Sequence, residues 1–165
     1  MDQVGRTIAI GVIATGVMDL WGISRERLLG FPRPDYRLIG RWIAYMPRGR
    51  FRHDPITASS PLPGEHLIGW TAHYTIGTAF AALLTSVWGV AWMARPTLGP
   101  ALLVGVGTVL APFLLMQPGM GAGFAASRTP RPRSARIQSL LTHTIFGFGL
   151  YLAGWVTHLL HSRSW

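Results

Sequence analysis

The chain has 165 residues, enough for one domain, and 49% of them are hydrophobic whereas only 13% are charged. Soluble domains carry about 25% charged residues, so this composition, with a mean hydropathy of +0.31, favours an integral membrane protein. The net charge of +9 comes from fifteen arginines that cluster between apolar runs, which argues against nucleic-acid binding, and the absence of cysteine excludes disulfides and thiolate metal sites.

The first predicted element is a transmembrane helix from Thr7 to Ile23. Its only charged residue is Asp19, and the run is long enough to cross a hydrocarbon core of roughly 30 Å. Gly11, Thr15 and Asp19 recur every four residues, which predicts a face suited to close contact with another helix. A cleaved signal peptide is disfavoured because no small-residue cleavage site follows the run and Asp19 interrupts it.

The segment of residues 24–66 is rich in arginine and proline. It holds eight arginines and six prolines, and so many prolines prevent one long helix. Only Leu38 to Met46 has the composition of a short helix, with Trp42 and Tyr45 at headgroup depth. We therefore expect a long loop on a membrane surface.

Two further apolar runs predict the second and third transmembrane helices, from Leu67 to Met93 and from Leu98 to Gln117. Arg95 and Pro96 between them indicate a tight turn, because proline does not readily continue a helix. Pro112 lies inside the third run, so we expect this helix to be kinked there.

A second loop, residues 118–136, precedes the fourth predicted span, Ile137 to Leu160. Its first half is rich in glycine, which predicts a turn or an anion-binding nest of backbone amides. Its second half carries four arginines. The sequence thus predicts an all-α protein: a single membrane domain of residues 1–165 built as a four-helix transmembrane bundle.

The arginines also predict the topology. Residues 24–66 and 118–136 together hold twelve arginines, whereas the other side of the membrane would hold only Arg6, Arg95 and Arg163. By the positive-inside rule both long loops are cytoplasmic and both termini lie outside the inner membrane of a bacterium.

The few polar residues of the spans are expected at one depth, in the cytoplasmic half. This predicted polar layer comprises Asp19, Glu65, His66, His73, Gln117 and His143. The simplest interpretation is that Asp19, His73 and His143 hydrogen-bond across the bundle and fix its packing. Two histidines and one carboxylate are also a known ligand set, so Asp19, His73 and His143 are candidate ligands of a single divalent metal. No HxxxH or ExxH pair supports that site.

The same three residues are the candidates for catalysis, with Asp19 or His73 as a general base. A proton-coupled transporter is a further alternative, although four spans suffice for transport only in a dimer.

The arginines beside the spans indicate a different function, the binding of an anionic lipid or a phosphorylated amphiphile. Guanidinium groups bind phosphate through paired hydrogen bonds, and basic clusters next to membrane helices often hold anionic headgroups. The segments Met46 to Asp54 and Gln117 to Pro130 are expected at the same mouth of the bundle. The candidate lipid-binding residues are Arg48, Arg50, Arg52, Arg128 and Arg131. Setting the topology is the alternative role of these charges, and a homodimer or a larger membrane complex is the alternative partner of this face.

Several short segments carry a resemblance to a known family. They are Thr15 to Trp21, Gly40 to Trp42, Met46 to Asp54, Gly69 and Trp70 with His73 and Tyr74, Gln117 to Pro130, and His143 to Tyr151. Over nearly its whole length the chain resembles an uncharacterised bacterial family of small multi-pass membrane proteins, a domain of unknown function. The resemblance implies a four-helix inner-membrane protein and supplies no activity, substrate or catalytic residue.

Overall fold

The computed structural model describes residues 2–162 of the chain. Within this range all regular elements are helical, which confirms the predicted all-α class. The α-helices are α1 (Gln3–Leu29), α2 (Tyr36–Tyr45), α3 (Glu65–Ala94), α4 (Leu98–Gly107), the single turn α5 (Gln117–Gly119) and α6 (Pro132–Ser162). Three 3₁₀ turns lie at Met46–Arg48, Ile56–Ala58 and Phe124–Ala126.

Four helical stretches of the described chain are long and apolar enough to cross a membrane. They are Gln3–Leu29, Glu65–Ala94, Leu98–Gly119 and Pro132–Ser162. Each one contains a predicted span and extends beyond it at one or both ends. Side chains such as Leu83 and Leu103, which are 50% and 65% exposed, give these helices apolar outer faces suited to lipid.

The helix boundaries follow from local chemistry. Asp2 caps α1 by accepting a hydrogen bond from the backbone N–H of Gly5 (2.8 Å), and Asp35 caps α2 through the N–H of Arg37 (3.0 Å). The short helix predicted over residues 38–46 thus begins two residues earlier, at Tyr36, and ends at Tyr45. A π-helical turn, Pro112–Met116, begins at the proline where the sequence predicted a kink.

The contacts of the chain define two compact units. The first contains residues 2–33, 74–108 and 141–162 of the described chain. Its core joins α1, α3, α4 and α6 through fully buried side chains, among them Ile10, Leu84, Met93 and Leu150.

Small residues bring these helices together. A Cβ added to Gly11 would lie 2.5 Å from the Cα of Thr78, and one added to Gly77 would collide with the Thr15 hydroxyl. The predicted contact face of α1 is therefore confirmed, with α3 as its neighbour. Gly105 of α4 and Gly147 of α6 make a similar contact, in which a Cβ on Gly105 would be 2.6 Å from the backbone nitrogen of Gly147.

The second unit contains residues 34–73 and 109–140. It holds α2, the first residues of α3 and both loops that the sequence predicted to meet. The packing of α2 against α3 depends on Gly40 and Gly69, since a Cβ on Gly40 would lie 2.6 Å from the Gly69 nitrogen. A buried ion pair between Arg41 and Glu65 joins the same two helices, with Nε to Oε2 at 2.8 Å.

Candidate functional site

Two of the predicted catalytic or metal-binding residues belong to the first unit. Asp19 accepts a hydrogen bond from the Tyr74 hydroxyl at 3.0 Å. Nδ1 of His143 is 3.1 Å from the hydroxyl of Thr108, and that hydroxyl donates its own proton to the carbonyl oxygen of Gly105 at 2.7 Å. A hydrogen bond from Nδ1–H of His143 to the Thr108 oxygen is compatible with this arrangement.

The third, His73, belongs to the second unit. Its ring is stacked on Tyr36 with centroids 4.1 Å apart, and Trp70 meets it edge-on at 5.9 Å. His66 accepts a hydrogen bond from the Trp70 indole N–H at 3.2 Å. Aromatic packing therefore surrounds the imidazoles at the start of α3.

The remaining members of the predicted polar layer are placed differently from one another. Glu65 is the partner of Arg41 in the buried ion pair. Gln117 has its amide oxygen buried without a hydrogen-bond partner.

The metal hypothesis gains no support from the geometry. Across residues 2–162, no three His, Asp or Glu side chains come close enough together to hold a metal ion. Catalysis and metal binding at Asp19, His73 and His143 stay predictions.

A pocket of about 410 Å³ lies in the second unit, where the two loops meet. We name it the loop pocket, and its lining residues are Phe51, Arg52, Pro118, Gly119, Gly123, Phe124, Ser127 and Arg128. Two arginines and one serine thus line the same pocket as two phenylalanines. This combination suits a ligand with an anionic head and an apolar body.

Backbone hydrogen bonds hold the two walls of the loop pocket together. The N–H of His53 donates to the carbonyl oxygen of Gly119 at 2.8 Å, and the N–H of Ile56 donates to that of Met120 at 3.0 Å. The indole N–H of Trp42 donates to the carbonyl oxygen of Phe51 at 2.8 Å. The meeting of the two loops that the sequence predicted is confirmed.

The glycine-rich wall is a compact turn whose amides largely bond within it. Amides of Gly121, Ala122 and Arg128 donate to the carbonyls of Pro118, Gln117 and Ala122, at 2.8 to 3.2 Å. These bonds confirm the predicted alternative of a turn for residues 117–122. The side chains of Arg52, Arg128 and Ser127 are the charged and hydroxyl-bearing residues of the pocket lining.

The five arginines predicted to bind lipid occupy three kinds of position. Arg52 and Arg128 line the loop pocket. The guanidinium carbons of Arg48 and Arg50 lie 5.6 and 5.0 Å from the centre of the Tyr45 ring, in cation–π contact. Arg131 is exposed and lies outside the pocket lining.

The second unit carries a large excess of positive charge. It contains nine arginines and three carboxylates, which gives a net charge of +6 with neutral histidine. Asp35 and Glu65 neutralise Arg37 and Arg41 at 2.8 Å. The third carboxylate, Asp54, is 77% exposed and lies 3.6 Å from Arg128. The pocket arginines are therefore only weakly compensated within the unit.

His53 is a buried imidazole beside the loop pocket. It is 3% exposed, its Nδ1 is 2.7 Å from the Ser59 hydroxyl, and its Nε2 is buried without a hydrogen-bond partner. Burial, and next the positive charge of Arg50, lower the pKa of His53 below its usual 6.5. The fold therefore favours the neutral ring.

We expect acid to destabilise the protein through His53. Because the pKa is lower in the folded state, this contribution is complete above pH 6.5 and is lost as the pH falls toward the folded pKa. Changing His53 to Asn keeps one polar atom for Ser59 and removes the titration. The free energy of unfolding, measured between pH 7.5 and 5, should fall less steeply in His53→Asn than in the wild type. Parallel slopes would contradict this assignment.

Sequence reasoning missed three features of the second unit. The ion pair of Arg41 and Glu65 joins residues 24 positions apart, which no local pattern indicates. Ser127 was not singled out from its loop. The two phenylalanines could have been detected. Phe51 lies between Arg50 and Arg52, and Phe124 lies among glycines and alanines. A large aromatic residue in such a loop indicates a contact or binding position.

Comparison with known proteins gives one match. No curated protein and no solved structure matches the chain. A family model described as "Protein of unknown function (DUF2938)" matches residues 8–157, which is most of the chain. This match confirms the resemblance to an uncharacterised family that the sequence suggested. The chain therefore belongs to the family of proteins of unknown function described as DUF2938.

Proposed function

We propose that this protein is a multi-pass protein of the bacterial inner membrane that binds the anionic headgroup of a membrane lipid in the loop pocket. One observation carries the proposal: Arg52 and Arg128, from two loops far apart in sequence, line the same pocket together with Ser127. Charge-assisted hydrogen bonds from guanidinium groups to phosphate are among the strong polar contacts of proteins.

The aromatic residues of the pocket favour a lipid over a soluble anion. Phe51 and Phe124 are 62% and 66% exposed, although each is a large apolar side chain. Beside an arginine pocket, exposed rings of this kind suit the boundary between headgroups and acyl chains.

The charge of the second unit supports the same location. By the positive-inside rule its nine arginines face the cytoplasm, where anionic lipids give the leaflet a negative surface potential. Each basic residue near such a surface contributes about 1 kcal/mol of attraction. The whole unit would attract anionic lipid, and the pocket would select the headgroup.

Native mass spectrometry of the detergent-solubilised protein, doped with phosphatidylglycerol or phosphatidylcholine of the same acyl chains, tests this proposal. We expect the wild type to retain the anionic lipid preferentially. The double variant Arg52→Gln/Arg128→Gln should lose this retention by at least about tenfold, because no guanidinium group is left in the pocket lining.

The matched control is Arg131→Gln/Arg133→Gln, which removes the same charge from outside the pocket lining. In detergent, where no charged leaflet adds to the attraction, it should reduce retention much less than the pocket variant does. Equal losses in the two double variants would contradict specific binding in the loop pocket. The arginines would then attract lipid only diffusely, and setting the topology or binding a protein partner would be their role.

The alternatives gain less support. One alternative is a metal-binding protein or enzyme centred on Asp19, His73 and His143. The described residues contain no cluster of three metal-ligating side chains that would support it. A proton-coupled transporter acting as a dimer stays a prediction.

A further inference from the structure

The charges of the loop pocket are not balanced, and this bears on the class of anion that the pocket binds. Arg52 and Arg128 contribute two positive charges, and the carboxylate within ion-pair distance is Asp54, at 3.6 Å from Arg128. That distance is long compared with the 2.8 Å of the pairs Arg37–Asp35 and Arg41–Glu65. Asp54 is also 77% exposed, so it would move into water at little cost.

We propose that the lipid bound in the loop pocket ends in a phosphate monoester, which is a dianion, rather than in a phosphodiester. This inference rests on the proposed lipid site and names its ligand class. A dianion displaces Asp54 from Arg128 and balances both guanidinium groups. A monoanionic diester balances Arg52 alone and leaves Arg128 paired with Asp54.

The number of phosphate oxygens also favours a monoester over a diester. Each guanidinium binds a pair of oxygens, and the Ser127 hydroxyl offers one more donor. A diester has two unesterified oxygens, whereas a monoester has three. The loop amides of Gly121, Ala122 and Arg128 donate within the turn, so they do not replace an arginine in this recognition.

Competition between two anionic lipids with the same acyl chains tests the inference. The probes are phosphatidic acid, a monoester, and phosphatidylglycerol, a diester, with phosphatidylcholine as the neutral reference, all in native mass spectrometry. The wild type should retain phosphatidic acid about tenfold better than phosphatidylglycerol, since one additional guanidinium binds it. Arg128→Gln should abolish that preference, because it removes the second guanidinium group.

The pH gives an independent readout. The second ionisation of a phosphate monoester lies near pH 6, so retention of phosphatidic acid should rise between about pH 5.5 and 7.5 while that of phosphatidylglycerol stays constant. The control Arg131→Gln should keep both the preference and its pH dependence. Soluble glycerol phosphate at equal concentration should not displace phosphatidic acid; full displacement would overturn the lipid as the source of the monoester.

The outcomes separate the two proposals. Equal retention of both anionic lipids above phosphatidylcholine, with loss in Arg52→Gln/Arg128→Gln, overturns the monoester inference and leaves the lipid site standing. Retention of neither anionic lipid above phosphatidylcholine overturns both.

Discussion

Replacing Arg41 by Met should destabilise the protein by about 3–5 kcal/mol, the usual cost of removing one partner from a buried ion pair. Arg41 binds the Glu65 carboxylate through Nε and Nη2 at 2.8 and 2.9 Å, and its Nη1 donates to the carbonyl oxygen of Ser59 at 2.9 Å. The side chains of Arg41 and Glu65 are only 10% and 12% exposed. The substitution would leave a buried carboxylate with the Leu62 amide as its donor.

The free energy of unfolding, measured by denaturant titration in mixed micelles, checks this result. The double variant Arg41→Met/Glu65→Met should recover much of the loss, because an apolar pair carries no unpaired charge. The matched control is Arg37→Met, which breaks the exposed pair with Asp35 and should change stability little. Equal effects of Arg41→Met and Arg37→Met would show that burial of the ion pair contributes nothing.

The sequence predicts much of this fold because lipid and water impose strong rules on composition. Four apolar runs predict four helices long enough to span a membrane, and Pro112 predicts the irregular turn in the third. The helix ends are less predictable. Residues Gln3–Arg6 and Ser24–Leu29 continue α1 beyond its apolar run, because Asp2 and Gly30, rather than hydrophobicity, set its limits.

The loops are the part that sequence patterns describe least. Arginine composition indicates an anionic partner for residues 46–54 and 117–130, yet it does not distinguish Arg52 and Arg128 in the pocket from Arg48 and Arg50 over Tyr45. That difference arises from hydrogen bonds between segments far apart in sequence, such as the one from His53 to Gly119. Such contacts have no period that could be read along the chain.

The contacts between helices are also only partly predictable from the sequence. Gly11, Thr15 and Asp19 recur every four residues and indicate a contact face, and the structure supplies α3 as the neighbour through Thr78, Gly77 and Tyr74. The contact of Gly40 with Gly69 has no such repeat in the short helix α2. Its importance follows only from how closely the two backbones approach.

Changing Gly40 to Ala should therefore cost about 3 kcal/mol, at the upper end for overpacking. The added Cβ would overlap the Glu65 carbonyl oxygen and lie 2.6 Å from the Gly69 nitrogen. Both neighbours are backbone atoms of α3, so no side chain can turn aside, and α2 must move away. Because α2 also carries Trp42, which binds the Phe51 carbonyl, retention of anionic lipid should fall in the same variant.

Gly16 of α1 provides the matched control, since a Cβ there would meet no atom within 4 Å. Gly16→Ala should leave lipid retention unchanged and raise stability by up to about 1 kcal/mol, because alanine favours helix more than glycine does. Gly69→Ala, whose Cβ would overlap the Tyr36 carbonyl, should repeat the effect of Gly40→Ala, and the double variant should cost less than the sum of the two. Additive losses would mean that the two glycines act at separate contacts, and a Gly40→Ala protein as stable as the wild type would refute the close approach of α2 to α3.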